Sequence, residues 1–170
     1  HGDFDVVVVD NAPSDRRARE VAARFGGGRV RVTYVHEPRP GLARAHNAAR
    51  EHVTGAIVAI TDDDVVVDPT WLRRLCDGFS AAEHVGAVTG MIFPAELETP
   101  TQAWTDVHAA YNKGYERRIV GLTDASDPLL PWATGTVGSG ANMAFTVAAL
   151  DDIGWFDDAL GAGTPARGGD

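Results

Sequence analysis

Three consecutive carboxylates, Asp62-Asp63-Asp64, follow the apolar run Ala56–Ile60 after a single threonine, Thr61. Carboxylates a few ångströms apart repel, so such a cluster either raises a pKa or calls for a cation. Alternate residues on extended backbone share a face, which lets Asp62 and Asp64 meet one ligand. A hard divalent ion suits them, because Mg2+ or Mn2+ takes one or two carboxylates and completes its shell with diphosphate oxygens. The plainer duty, capping the next helix, falls to Asp68, which stands before Pro69 and an apolar stripe. Another acid and amide, Asp10-Asn11, end a second apolar run, Val6–Val9. Ligands of open α/β sheets lie outside the carboxyl ends of the strands, where both groups fall.

The elements that must position these residues follow from periodicity. Phe4–Val9 is continuously apolar, as a central strand covered on both faces would be. Ser14-Asp15 caps a helix with the stripe Ala18, Val21, Ala22 and Phe25, and Gly26-Gly27-Gly28 stops it. Val30, Val32 and Tyr34 alternate as a second strand. Pro38-Arg39-Pro40-Gly41 turns into a helix carrying Leu42, Ala45, Ala49 and Val53, and Ala56–Ile60 is a third strand. One helix between strands starting about 25 residues apart is the spacing of parallel βαβ units. The next helix packs Trp71, Leu72, Leu75, Cys76 and Phe79 inward, and Gly86–Phe93 is a fourth strand.

Beyond Pro94 the pattern loosens. Thr99–Gly114 reads as a helix, with Trp104, His108 and Tyr111 on one buried face. Gly121–Trp132 is turn-rich, Asn142–Phe145 a short strand and Val147–Ile153 a short helix. The expectation is a single domain over 1–170, with an α/β nucleotide-binding half, 1–94, and an irregular, glycine-rich, substrate-facing half, 95–170.

Composition narrows the function classes. The 170 residues carry a net charge of −9 with no Lys/Arg-rich stripe, which argues against a nucleic-acid partner. An acidic protein holds an anionic ligand only where a metal ion or helix N-termini overturn the global field. The one cysteine, Cys76, forms no intrachain disulfide and reads as a buried small hydrophobe, making a reducing cytoplasm the default compartment. No apolar run reaches the ~20 residues of a membrane span.

Five segments in order resemble the motifs of family 2 glycosyltransferases. Val6-Val7-Val8-Val9-Asp10-Asn11-Ala12-Pro13-Ser14-Asp15 is similar to their "DDGSTD" strand and loop, and Pro40-Gly41-Leu42-Ala43-Arg44-Ala45-His46-Asn47 to their "GLSxARN" helix start. Ile60-Thr61-Asp62-Asp63-Asp64, continuing to Asp68-Pro69-Thr70-Trp71-Leu72, resembles the "DxD" segment. Gly138-Ser139-Gly140-Ala141-Asn142-Met143-Ala144-Phe145 resembles "GxNMAFR". Gly154-Trp155-Phe156-Asp157 through Gly168-Gly169-Asp170 resembles the approach to the "ED" motif.

The resemblance implies an α/β fold of the GT-A (Rossmann-like) nucleotide-diphospho-sugar transferase type, a mostly parallel sheet flanked by helices. It implies transfer of a sugar from a nucleotide-sugar donor to a glycan, lipid or small-molecule acceptor, with Mn2+ or Mg2+ and inversion. Asp10 matches the acid at the base, with Asn11 beside it. Asp62 matches the residue near the ribose and a second metal contact, Asp64 the direct metal ligand, with Asp63 between them. His46 stands where an arginine near the diphosphate is usual, with Arg44 two residues away as a substitute and Asn47 closing the motif. Gly140 and Asn142 match the sugar and acceptor side. Trp155 is a candidate for stacking on sugar, with core packing as its alternative. Asp170 matches the start of the acidic pair that supplies the general base. Peripheral association of a full-length protein with the cytoplasmic membrane face belongs to the same expectation.

Two readings compete. Asp62-Asp63-Asp64-Val65-Val66 also fits the "DxDxV" of haloacid-dehalogenase-like phosphatases, with Asp62 as nucleophile and Asp64 as acid/base. That motif normally sits on a first strand, whereas two βα units precede it here, and the only lysine is Lys113. A non-catalytic nucleotide-sugar- or glycan-binding module is the other. Relative to the family pattern the chain reads as lacking the first strand and the second acid of the "ED" pair. Phe4–Val9 is then expected at or near a sheet edge, and donor binding without appreciable transfer is expected.

Overall fold

The structure, a computed structural model, describes residues 4–108, 114–121 and 137–164. The chain divides into two compact units, His1–Val58 with Val147–Asp170, and Ala59–Thr146.

The first unit is built on a parallel pair. Strand β1 (Asp5–Asn11) lies beside β2 (Arg31–Glu37), in register from Asp5 opposite Arg31 to Asn11 opposite Glu37. Their valine-rich sequences suit a pleated surface. Among the described residues β1 has one partner strand, so it is an edge, and Val6 is 37% exposed rather than covered on both faces. Helix α1 (Arg17–Arg24) joins the strands; the Asp15 carboxylate accepts the Arg17 N–H at 2.9 Å. Of the predicted stripe only Ala22 is buried, with Val21 and Phe25 exposed. An eight-residue, arginine-rich helix against two strands finds little apolar surface to cover.

Helix α2 (Leu42–Ala49) buries Ala43 and Ala45 and passes into a short 3-10 turn, Arg50–His52. Gly41, before it, has φ 139°, a conformation closed to other residues, and its N–H is donated to Asn11. Helix α5 (Val147–Ile153) ends in two left-handed residues, Gly154 and Trp155, with the Trp155 N–H reaching the Leu150 carbonyl at 2.8 Å. This is a Schellman closure, and Leu150 is fully buried behind it.

A three-stranded sheet takes the order β3-β5-β4, from β3 (Ile57–Ile60), β4 (Ala87–Thr89) and β5 (Met143–Thr146). Strands β4 and β5 are antiparallel, with Val88 opposite Ala144. The sequence spacing suggested that β3 simply continues the parallel series. Instead the late run Met143–Thr146 is inserted beside it, because Met143 and Ala144 are buried and make the better central strand.

Helix α3 (Trp71–Gly78) starts two residues later than Asp68-Pro69 suggested. Asp68 Oδ1 accepts the Thr70 N–H and hydroxyl at 2.7 and 2.6 Å, so the acid shapes the approach rather than the first turn. Leu75 is buried, but Cys76, about 100° further round the helix, is exposed, against the expectation of a packed thiol. Helix α4 (Pro100–His108) opens with a reciprocal cap. Gln102 Oε1 accepts the Thr99 N–H and Thr99 Oγ1 accepts the Gln102 N–H, at 2.8 and 3.2 Å. The predicted buried face of α4 is exposed. Trp104 and His108 stack on each other at 4.3 Å in the open, since neighbours at i and i+4 meet on a helix surface as readily as in a core. Tyr111 lies outside the described residues. No helix among them is long and apolar enough to cross a membrane.

Candidate functional site

The first unit gathers its chemistry at the carboxyl ends of β1 and β2. Asp10 is half-buried and its Oδ2 accepts the hydroxyl proton of Tyr34 at 2.8 Å, which holds the tyrosine's pKa above its usual value. Asn11 is committed to backbone: Oδ1 accepts the Gly41 N–H at 2.9 Å and Nδ2 donates to the Arg39 carbonyl at 2.8 Å. The amide thus ties the end of β1 to the start of α2. Ala12 follows with φ 47° and donates its N–H to the Glu37 carbonyl at 2.7 Å. A non-glycine residue held there costs of order 1–3 kcal/mol and marks a segment whose shape is imposed from outside.

Glu37 closes β2. Its Oε1 accepts both the Arg39 N–H and Nε–H at 2.9 Å, and Oε2 faces Nη2 at 3.0 Å. This pairing with the Arg39 side chain and backbone depresses the buried carboxyl to about 2. Sequence reasoning missed it, though Glu-x-Arg across a proline is a signal for a local clasp. A depressed acid stabilises the fold above its unfolded pKa, about 4.5, and loses that contribution as pH falls towards about 2. The gap in urea midpoint between the parent and Glu37→Gln should therefore be constant above about pH 5 and close between pH 4.5 and 2. An unchanging gap over that range would refute the clasp.

The α2 residues singled out for a diphosphate turn towards their own unit. Asn47 Nδ2 donates to the Phe156 carbonyl at 2.7 Å and to Asp158 Oδ1 at 2.8 Å, and Oδ1 accepts the Phe156 N–H at 3.1 Å. His46 packs against the Phe156 ring at 4.6 Å. Arg44 donates to the Pro40 carbonyl at 3.1 Å and stands 3.7 Å from Asp158, its Nε buried with no hydrogen-bond partner among the described residues. Trp155 is 7% exposed, its indole N–H goes to Asp151 at 2.8 Å, and Arg50 lies over its ring. Its place is the core, the alternative already weighed for it, and not a stacking platform.

The second unit carries the acidic triplet on the loop after β3. Asp62, Asp63 and Asp64 are all exposed, and the loop turns through a Val65 N–H to Asp62 carbonyl contact at 3.4 Å. Among the described residues no hydrogen bond or ion pair engages the Asp63 or Asp64 carboxylate. Nor do three or more His, Cys, Asp or Glu residues there form a metal cage. Open, hard oxygen donors without a closed cage fit an ion of the Mg2+ or Mn2+ type, whose remaining ligands come from phosphate and water. They do not fit a structural zinc site.

Gly140 and Asn142 form the short 3-10 turn leading into β5. Asn142 Oδ1 accepts the Trp71 indole N–H at 2.9 Å and Nδ2 donates to the Met91 carbonyl at 2.8 Å. Asp170 lies outside the described residues.

Comparison with known proteins follows the same lines. The family described as glycosyl transferase family 2 matches residues 1–153. An uncharacterised protein of Sinorhizobium fredii is 34% identical over 77 residues, 44% of this chain and 8% of its own length. A glucosyl-dolichyl phosphate glucuronosyltransferase of Haloferax volcanii is 28% identical over 89 residues, 52% of this chain and 28% of its own. Among solved structures, a mannosyltransferase from Pyrobaculum calidifontis, in complex with GDP-Man and Mn2+, superposes with a TM-score of 0.59 at 26% identity. That match covers 94% of this chain and 40% of the mannosyltransferase. The chain thus spans well under half the length of each of these relatives. The fold is the α/β GT-A type expected from the motifs, and the chain belongs to glycosyl transferase family 2.

Proposed function

We propose that the chain binds a nucleoside-diphosphate sugar and passes the sugar to an acceptor hydroxyl with a divalent ion, inverting the anomeric centre. The observation that carries this reading is the open acidic loop Asp62–Asp64 after β3 in a chain of this family. A similar mannosyltransferase is solved with GDP-Man and Mn2+, which supports a nucleotide-sugar and metal pairing.

In this reading Asp64, with Asp62, holds Mn2+ or Mg2+. When bound, the ion offsets charge on the diphosphate leaving group. Asp10 accepts from the base, with its carboxylate held in place by Tyr34. Asp170 removes the acceptor proton, a task that needs a carboxylate within ~3 Å of the hydroxyl. The acceptor is a glycan, a lipid or a small molecule, and the site of action is the cytoplasm or the cytoplasmic membrane face; the single, unpaired cysteine supports that compartment.

A calorimetric panel of UDP-, GDP- and dTDP-sugars, with and without Mn2+, tests the reading. One nucleotide should bind in the micromolar range with Mn2+ and at least about tenfold more weakly with EDTA. Metal-independent binding of all three, or of none, would refute it.

A further inference from the structure

The acidic loop is fixed at its start by β3, and its other end runs into Trp71 at the head of α3. The contacts at its trailing end are short-range. The Trp71 N–H reaches the Asp68 carbonyl at 2.9 Å, and Asp68 holds Thr70. Val66, in the middle, is 94% exposed, so packing there does not shape the loop. The Trp71 side chain reaches further, to an amide 71 residues away in sequence, Asn142.

Asn142 is itself held on other sides. Its Nδ2 donates to the Met91 carbonyl, its backbone carbonyl accepts the Gly90 N–H at 2.9 Å, and a Cβ at Gly90 would stand 2.3 Å from its Nδ2. Gly90 therefore has to be a glycine for the amide to sit where it does. An indole N–H has one hydrogen to give and no acceptor lone pair, so its bond to Asn142 Oδ1 fixes the ring in one orientation.

We propose that Asn142 is a positioning residue. Through the Trp71 indole it anchors the trailing end of the Asp62–Thr70 loop, so that Asp62 and Asp64 stand ready for the ion and diphosphate rather than being ordered at binding. This rests on the donor-binding reading above, and it departs from the motif-based expectation that the Asn142 amide contacts sugar or acceptor. Fixing both ends of a loop beforehand lowers the ordering cost that binding must meet.

Two measurements on the full chain decide it. Trp71→Phe keeps an aromatic ring at this position and removes the N–H donor together with the five-membered ring that carries it. Amide exchange at Val65, Thr70 and Trp71 in the metal-free protein should accelerate roughly three- to tenfold in Trp71→Phe, the worth of one hydrogen bond, while the β4–β5 amides keep their protection. The Kd for GDP with saturating Mn2+, or for UDP or dTDP if the panel selects one of them, should rise by the same roughly three- to tenfold factor. Asn142→Ala should raise it at least as much, since it also removes the donor to the Met91 carbonyl, and the double variant should be no worse than Asn142→Ala, in which the bond to Trp71 is already cut. Unchanged loop exchange in Trp71→Phe overturns the proposal, as does faster exchange with unchanged affinity. Additive losses in the double variant would return Asn142 to direct ligand contact. If the parent binds no nucleoside diphosphate with Mn2+, the donor reading fails, and loop exchange still decides whether the anchor exists.

Discussion

Asp64→Ala should abolish Mn2+-dependent nucleoside-diphosphate binding while leaving the circular dichroism and melting temperature unchanged. The side chain is exposed and engages no hydrogen bond or ion pair among the described residues, so removing it takes nothing from the fold. The described residues include no group of three or more His, Cys, Asp or Glu placed to hold an ion, so in this reading the ion has few protein ligands to spare. Loss of about 3 kcal/mol, roughly 100-fold in Kd, is expected, and titration calorimetry with and without Mn2+ reads it directly. Asp63→Ala serves as the comparison, since residue 63 carries the same charge in the same exposed turn, closed by the Val65 N–H to Asp62 carbonyl contact. Equal losses in both would mean that net charge, and not a specific ligand, is what the triplet supplies.

The second large effect lies in stability. Asn47→Ala removes three hydrogen bonds at once and leaves the Phe156 N–H and carbonyl, together with the Asp158 carboxylate, short of partners. Unsatisfied, partly buried groups cost about 1–3 kcal/mol each, so the loss should be about 3 kcal/mol overall, allowing for water at the more open ones. For a chain of this size that lowers the melting temperature by roughly 6–12 °C. A thermal melt in the absence of nucleotide and metal separates this role from ligand contact. A residue that serves only a bound diphosphate would leave that melt within a degree of the parent.

These two residues mark how far the sequence could be read. Asp62–Asp64 stood out because three adjacent acids after an apolar run are unusual, and the structure places all three at the exposed surface. The strands β1, β2 and β3 and the helices between them were legible for a related reason: valine runs and alanine stripes state their period directly. Asn11, Asn47 and Asn142 were not. An asparagine in a conserved-looking motif carries one donor group and one acceptor whether it faces a ligand or splices two pieces of backbone, and only the fold decides. Here all three amides are engaged within the protein. Strand order was hidden as well. Periodicity finds Met143–Thr146 as a strand but not its place between β3 and β4, which depends on burial of Met143 and Ala144. Trp104 and His108 misled because the spacing that packs a core also stacks two rings in solvent.

The division of the chain has a consequence for its synthesis. The first unit is discontinuous, closed by Val147–Asp170 after all of Ala59–Thr146 has been made. Asn47 waits for Phe156 and Asp158, 109 and 111 residues downstream. At about 5–20 residues per second a ribosome takes roughly 6–22 s to cover that distance. Through that interval α2 has left the exit tunnel without the segment that its amide clasps, whereas the second unit has every residue it needs before the first is complete. The first unit is therefore begun before the second and completed only after it.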